Sequence, residues 1–260
     1  MDFYQVKNGD YSVEVNLNNL FTGNQDHLNS FYKHYDFIAY EDKDFKSLVS
    51  LVDGILRYES ETVLPLIEDD FKPRVLLVFG NPATHSVKHG MFYFSMGGDN
   101  FYRHGLWGKL LKAGLVSEVK SNTTDNYQAR KKEANLRKLM ILAGKSSDNY
   151  LVGLTTFYSL PTPGSFDSEY SGVAAVEKLF RPVLDTVARA EVKRIQSYPF
   201  TRGATVVFTQ KSSYEMYSEI TGATPEFWPI MGKDSGGERL AELLSDIHHT
   251  PTTKDWWEEG

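Results

Sequence analysis

The chain has 260 residues and a formal net charge of -6, and it contains no cysteine. The lack of cysteine excludes disulfides, thiol catalysis and cysteine-ligated zinc, and the length suits one large α/β domain. No apolar run approaches the about 18 residues of a membrane helix, and the amino terminus lacks the pattern of a signal peptide. We therefore expect a cytoplasmic protein of one domain with no membrane partner.

Charge is distributed unevenly along the chain. Residues 1–70 hold 5 basic and 14 acidic side chains, residues 103–145 hold 10 basic and 3 acidic, and residues 216–260 hold 3 basic and 9 acidic. A basic middle segment could steer a phosphate backbone to one face of the protein. A solvated helix face over residues 127–140 accounts for the same charges equally well.

Hydrophobic periodicity predicts alternating helices and strands, which is typical of the α/β class. In chain order, the predicted elements are helices at 28–34 and 45–58, a strand at 74–79, helices at 106–113 and 128–143, a strand at 150–157, a helix at 173–190, a strand at 204–209, and helices at 213–221 and 237–246. We expect a helical amino-terminal region over about residues 1–70 and an acidic carboxyl-terminal segment on the same domain. Residues 117–126 and 159–165 are predicted surface loops.

The first predicted strand leads directly into a polar segment. Residues 75–79 form a continuous apolar run, which is typical of a parallel strand with helices on both faces. Gly80 and Pro82 break the strand and leave Asn81 at its carboxyl end, where ligands gather in such sheets. Asn81 is therefore the first candidate for a functional residue.

This segment resembles the first motif of the uracil-DNA glycosylase superfamily. The matching positions are Asn81-Pro82, His89-Gly90 and Phe94-Ser95, and residues 100–116 resemble the Asn-aromatic element that follows. The similarity extends, more weakly, over roughly residues 70–220. It implies a three-layer α/β/α sandwich with a short central parallel sheet, uracil-DNA glycosylase-like.

The resemblance also implies the chemistry. A monofunctional DNA N-glycosylase extracts a nucleotide from the helix and hydrolyses the bond between base and deoxyribose, without a cofactor. Asn81 would orient the attacking water, and Phe94 would stack on the base in preference to Phe92 or Tyr93. Pro82 and His89 would complete the base-binding site. We expect DNA, single- or double-stranded, as the partner of a monomer.

Two departures from the family pattern bear on the substrate. Ala83 stands where the uracil-specific branch has a bulky tyrosine, and Thr155 stands where that branch reads uracil with an asparagine. A hydroxyl cannot replace the paired donor and acceptor of an amide. These changes favour a modified pyrimidine, such as hydroxymethylcytosine or its glucosylated form in phage DNA, and a role in anti-phage defence. A uracil or mismatch repair glycosylase and a non-catalytic base-binding module remain the alternatives.

The remaining candidate residues rest on weaker patterns. His248 and His249 lie in a segment with partial similarity to the last family motif, where one of them would donate to the departing base; a tail without a role is the alternative. Candidate phosphate contacts are Arg103, Arg130, Lys131, Lys132 and Arg202. His85 and His89 are four residues apart, but the breakers around them argue against a helical metal site, and no metal is expected.

Overall fold

The computed structural model describes residues 3–7, 12–66, 71–94, 105–119, 127–164, 169–230 and 237–248. Its strands are β1 (Tyr4–Lys7), β2 (Ser12–Asn16), β3 (Val49–Val52), β4 (Ile55–Glu59), β5 (Arg74–Phe79), β6 (Leu151–Thr156), β7 (Ala204–Phe208) and β8 (Glu226–Phe227). Its helices are α1 (Leu17–Leu20), α2 (Gln25–Glu41), α3 (Lys43–Leu48), α4 (Thr84–His89), α5 (Gly105–Lys112), α6 (Tyr127–Leu142), α7 (Gly172–Phe180), α8 (Leu184–Ser197), α9 (Lys211–Thr221) and α10 (Glu238–His248).

A four-stranded parallel sheet with the order β6-β5-β7-β8 forms the centre of the fold. The three strands predicted from sequence correspond to β5, β6 and β7, and these predictions are confirmed within two residues at each end. Parallel pairing sets Phe79 of β5 opposite Thr156 of β6. The carboxyl ends of β5, β6 and β7 therefore lie along one edge of the sheet.

Helices cover both faces of this sheet. Leu76 and Val78 of β5 pack in a buried cluster with residues of α7 and α8, whereas Val75, Leu77 and Phe79 pack in a second cluster with residues of α5, α6 and α10. This alternation follows from the two-residue period of a strand. The prediction of the α/β class is confirmed. No helix in the described ranges is long and apolar enough to cross a membrane.

The amino-terminal region differs from the prediction of a helical segment. Besides α1, α2 and α3 it contains an antiparallel sheet with the order β1-β2-β4-β3. The helix predicted over 45–58 ends at Leu48, and a hairpin follows with Asp53 and Gly54 at its turn, at φ 52° and 75°. Asp-Gly flanked by alternating apolar residues is a strong hairpin signal, and here it prevails over the helical pattern.

The helix predicted over 173–190 is interrupted. It is divided into α7 and α8 by a short 3-10 turn, Arg181–Val183, and α8 continues to Ser197. Pro182 lacks the backbone N–H that a continuous helix requires at this position. The break allows α8 to reorient, and its buried side chains reach the end of β6.

Candidate active site at the carboxyl edge of the parallel sheet

The loops that follow β5 and β6 remain paired beyond the ends of the strands. The amide of Phe157 donates to the carbonyl of Phe79 (2.6 Å), and the amide of Thr162 donates to the carbonyl of Pro82 (3.1 Å). The amide of Thr84 donates in turn to the carbonyl of Thr162 (3.0 Å). These backbone bonds hold the segment that carries Asn81 against the loop after β6.

The side-chain amide of Asn81 is oriented by this loop. Its Nδ2 donates to Thr162 Oγ1 (2.8 Å), to the carbonyl of Pro82 (3.1 Å) and to the carbonyl of Leu160 (3.3 Å). Thr162 Oγ1 gives its only proton to the carbonyl of Gly172 (3.0 Å), so it can only accept from Asn81. Because all three partners of Asn81 Nδ2 are acceptors, the nitrogen and oxygen of this side-chain amide cannot exchange places.

The oxygen of Asn81 is consequently directed away from the loop. Asn81 is half-buried, and its Oδ1 accepts no hydrogen bond from the described residues. Gly172, at φ 57° and at the start of α7, leaves space beside it, because a Cβ at this position would lie 4.0 Å from Oδ1. A fixed carboxamide oxygen can accept a hydrogen bond from a water and orient it, but it is too weak a base to deprotonate water.

Gln210 is a neighbour that the sequence interpretation missed. It follows β7 at the same edge, and its Oε1 would lie 1.7 Å from a Cβ built at Gly80, so Gln210 would have to shift to admit a larger residue there. Gln210 therefore packs on the backbone immediately before Asn81. Its position directly after a buried parallel strand is a signal that could have identified it.

Phe94 and His89 lie together, and their rings cover each other. Phe94 is only 5 % exposed, and the His89 ring lies 4.4 Å from it at 34°. Tyr127 completes the group, with its hydroxyl 3.1 Å from His89 Nδ1. Burial, followed by the charge of Lys88, lowers the pKa of His89, so this imidazole is neutral at pH 7. In this arrangement a base can stack on that face of Phe94 only if His89 moves.

Ala83 lies beside the loop that orients Asn81. It forms a parallel bridge with Thr162, and its Cβ would lie 3.3 Å from a Cβ at Gly164. The ring of His85 lies closer still to that position, at 2.8 Å. The space beside Gly164 is therefore occupied by Ala83 and His85, and a side chain at position 164 would press on the His85 ring.

Thr155 is not brought to the same face as Phe94. Its side chain is fully buried, its hydroxyl lies 2.9 Å from that of Thr62, and it accepts from Arg194 Nη1 of α8 (3.3 Å). Successive residues of a strand point to opposite faces, so Thr156 is the one that shares the face of Phe94. Thr155, the residue expected to read the base, is thus one position away from Thr156, which faces Phe94.

The predicted phosphate contacts are dispersed. Arg202 is exposed, but it precedes β7 and its carbonyl accepts from Arg74 at the start of β5, so it lies at the opposite edge of the sheet from Asn81. Lys131 and Lys132 are exposed on α6, where Arg130 is half-buried. Arg103 and His249 lie outside the described residues. His248 ends α10, and its side chain also lies outside the description.

A buried ion pair stabilises the loop after β6. Glu191 and Arg194 of α8 are 1 % and 5 % exposed and lie 2.6 Å apart. Arg194 donates to the carbonyl of Phe157 (3.1 Å), and Glu191 accepts from the backbone amide of Ser159 (2.8 Å) and the hydroxyl of Tyr4 (2.8 Å). The pair thus connects α8 and β1 to the loop that orients the Asn81 amide.

Comparison with known proteins adds no assignment to this geometry. No protein-family model matches the chain, and no curated protein sequence does. Within the described ranges, no group of three or more histidine, aspartate and glutamate side chains is placed to hold a metal ion. The function is therefore argued from the oriented amide and its surroundings.

Proposed function

We propose that this protein is a DNA glycosylase, with a uracil-DNA glycosylase-like three-layer α/β/α fold, that hydrolyses the bond between a flipped-out base and its deoxyribose. The observation that carries the proposal is the fixed orientation of Asn81, with Nδ2 bound to three acceptors and Oδ1 bound to none of the described residues. Support also comes from its position at the carboxyl edge of a parallel sheet and from the His-Gly-aromatic segment after it.

The proposed role of Asn81 is positional. A neutral amide oxygen holds a water against the anomeric carbon, which gains positive charge as the base departs. Holding the water in line supplies much of the barrier reduction without prior proton removal. Stabilisation of the departing base must then supply the rest.

The proposed substrate is a modified pyrimidine, such as hydroxymethylcytosine or its glucosylated form in phage DNA, in preference to plain uracil. Ala83 supports this choice, because its methyl group is much smaller than the tyrosine that the uracil-specific branch has at this position. The exposed lysines Lys131 and Lys132 are proposed to contact the phosphate backbone.

The decisive experiment measures base release by mass spectrometry and abasic sites by alkaline strand scission. Oligonucleotides carrying uracil, hydroxymethylcytosine or glucosylated hydroxymethylcytosine are compared. Wild type should release a modified base, Asn81→Ala should lose about 100-fold or more in rate, and Asn29→Ala, an exposed asparagine of α2, should match wild type.

Two other results have definite meanings. Tight binding of modified DNA by both wild type and Asn81→Ala without base release would identify a binding module instead of an enzyme. Release of uracil in preference to modified bases would identify a repair glycosylase and reject the proposed substrate.

A further inference from the structure

Glu61 is a buried carboxyl group without a hydrogen-bond partner. The side chain is 6 % exposed, and neither carboxyl oxygen has a partner in the described part of the chain. The same holds for the hydroxyl of Thr156, which is fully buried. Leaving such groups unsatisfied destabilises the folded state, so orphaned polar atoms deep in a protein call for a functional explanation.

The pairing of strands places these two groups side by side. Val63 and Leu154 form an antiparallel bridge and exchange both backbone hydrogen bonds at 2.8 Å. Thr62 therefore lies opposite Thr155, and their hydroxyls meet on the α8 side at 2.9 Å. The next pair in this register is Glu61 and Thr156.

Strand alternation directs this pair to the other face of the sheet. Val63 and Leu154 belong to the cluster that contains Phe79 and Phe94, and Glu61 and Thr156 lie two residues from them on their strands. Thr156 is also directly opposite Phe79, the last residue of β5 before the turn into Asn81. The unsatisfied groups thus lie at the edge of the sheet that carries Asn81, on the face of Phe94.

The charged and titratable groups that face Glu61 are Lys138 of α6 and Tyr93 of the segment after α4. Burial raises the pKa of Glu61 to about 8, and Lys138 opposes this effect only in part. Burial, with a smaller contribution from Glu61, raises the pKa of Tyr93, so the phenol remains neutral. At pH 7 Glu61 is consequently a neutral acid, which offers one O–H donor and one acceptor oxygen.

We propose that Glu61 and Thr156 read the polar edge of an extruded base that stacks on Phe94 after His89 has moved, and that Glu61 protonates the ring nitrogen N3 of a cytosine-class base as it departs. This inference rests on the function proposed above and specifies its substrate. A cytosine edge presents an amino donor beside an unprotonated ring nitrogen, which matches the acceptor and the donor of a neutral carboxyl. The C5 substituent lies away from this edge, so C5-modified cytosines keep the match.

The proposed step replaces the base on C1′ by the oxygen of a water. The C1′–N1 bond breaks, and its electron pair enters the base while the proton of Glu61 moves to N3, so a neutral base leaves. The water held by Asn81 adds its oxygen to C1′ and releases a proton to solvent, and Glu61 regains a proton from solvent before the next turnover. After the transfer, the Glu61 carboxylate accepts from the N3–H and amino groups of the base in charge-assisted hydrogen bonds.

A uracil-class base does not gain from this step. Its N3 already carries a hydrogen, so a carboxyl group can hydrogen-bond to it but cannot transfer a proton to that atom. General acid catalysis typically contributes about 10²–10⁴ in rate. Glu61 should therefore favour cytosine-class over uracil-class bases that carry the same C5 substituent.

The test uses two matched pairs of oligonucleotides: 5-hydroxymethylcytosine against 5-hydroxymethyluracil, and the glucosylated form of each. Single-turnover rates of base release are measured from pH 6 to 9.5 for wild type, Glu61→Gln and Thr156→Val. Glu177→Gln, at a half-buried carboxyl of α7 whose pKa burial also raises, is the control. Circular dichroism establishes that each variant is folded.

Wild type should release the cytosine member of a pair at least about 10-fold faster, with a rate that falls above the Glu61 pKa of about 8. Glu61→Gln keeps a donor and an acceptor but cannot give up a proton, so its rate should fall about 100-fold and lose that pH dependence. Thr156→Val should raise the enzyme concentration that gives half of the maximal single-turnover rate and leave the pH dependence in place, and Glu177→Gln should behave as wild type.

The proposal is overturned if Glu61→Gln retains the wild-type rate and pH profile, or if wild type prefers the uracil members. In both cases Asn81-dependent base release would persist and the proposed function would stand. If wild type releases no base from any of these oligonucleotides or from uracil-containing DNA, the proposed function itself fails, and the assignment of Glu61 fails with it.

Discussion

Replacing Glu61 by glutamine should stabilise the protein, and the gain should depend on pH. In the folded protein burial raises the pKa of this carboxyl from 4.5 to about 8. Between these values the unfolded chain releases the proton while the native state keeps it, so wild-type stability falls as pH rises. Glutamine has no such proton, and the difference between the two proteins isolates Glu61.

The magnitude follows from the interval between the two pKa values. At about 1.4 kcal/mol per pH unit, the interval from 4.5 to about 8 corresponds to about 5 kcal/mol. The free energy of unfolding of Glu61→Gln relative to wild type should therefore increase steadily from pH 5 and level off above pH 8. Close to pH 4 ionisation should contribute almost nothing to the difference.

Urea unfolding at half-unit steps of pH, followed by circular dichroism, measures this difference directly. Lys138→Met is an informative companion variant, because removing the nearby cation should raise the Glu61 pKa further and move the plateau to higher pH. A difference between wild type and Glu61→Gln that does not change from pH 5 to 8 would refute the assignment of Glu61 as a buried neutral acid.

Three further changes test the surroundings of the site. Arg194→Met should lower the unfolding free energy in urea by about 3–5 kcal/mol, because its buried carboxylate partner loses its counter-charge; a loss below about 1 kcal/mol would contradict this. Thr162→Val should reduce kcat about 10-fold while lowering stability by only about 1–2 kcal/mol, because Asn81 loses one of its acceptors; an unchanged kcat would show that Thr162 does not orient the amide. Lys131→Glu with Lys132→Glu should flatten the plot of log Kd for DNA against log salt concentration by about 1 per lost phosphate contact, whereas an unchanged slope would place the DNA elsewhere.

The parallel sheet was predictable because its strands carry strong local signals. The apolar runs that became β5, β6 and β7 are bounded by glycine, proline or polar residues, and burial on both faces requires such runs. The edge that carries Asn81 followed from the same rule, since a residue directly after a buried parallel strand must lie at its carboxyl end.

The amino-terminal sheet was not predicted, because its strands are only four or five residues long. The apolar residues of segment 45–58 recur at helical spacing, and this pattern hides the hairpin whose turn is Asp53-Gly54. Short strands depend on partners distant in sequence, such as β2 with β4, which periodicity within one segment cannot reveal.

The residues proposed to face the base could not be predicted for a different reason. Whether Thr155 or Thr156 faces Phe94 depends on the register of β6, and an error of one residue reverses the face. Glu61 lies outside the segment with family-like motifs, and only its antiparallel alignment beside Thr156 brings it to the site. Neither relation can be read from local sequence.

The hydroxyl of Tyr4 has a practical implication for shortening the chain. The Tyr4 hydroxyl donates to Glu191, so removing β1 would leave this buried carboxylate with one hydrogen bond fewer. The loop that aligns Asn81, which Glu191 holds at Ser159, would then be less firmly held. A shortened version of the protein must therefore keep β1 as well as the parallel sheet. For the proposed glycosylase, removing β1 should therefore lower the rate of base release from a distance.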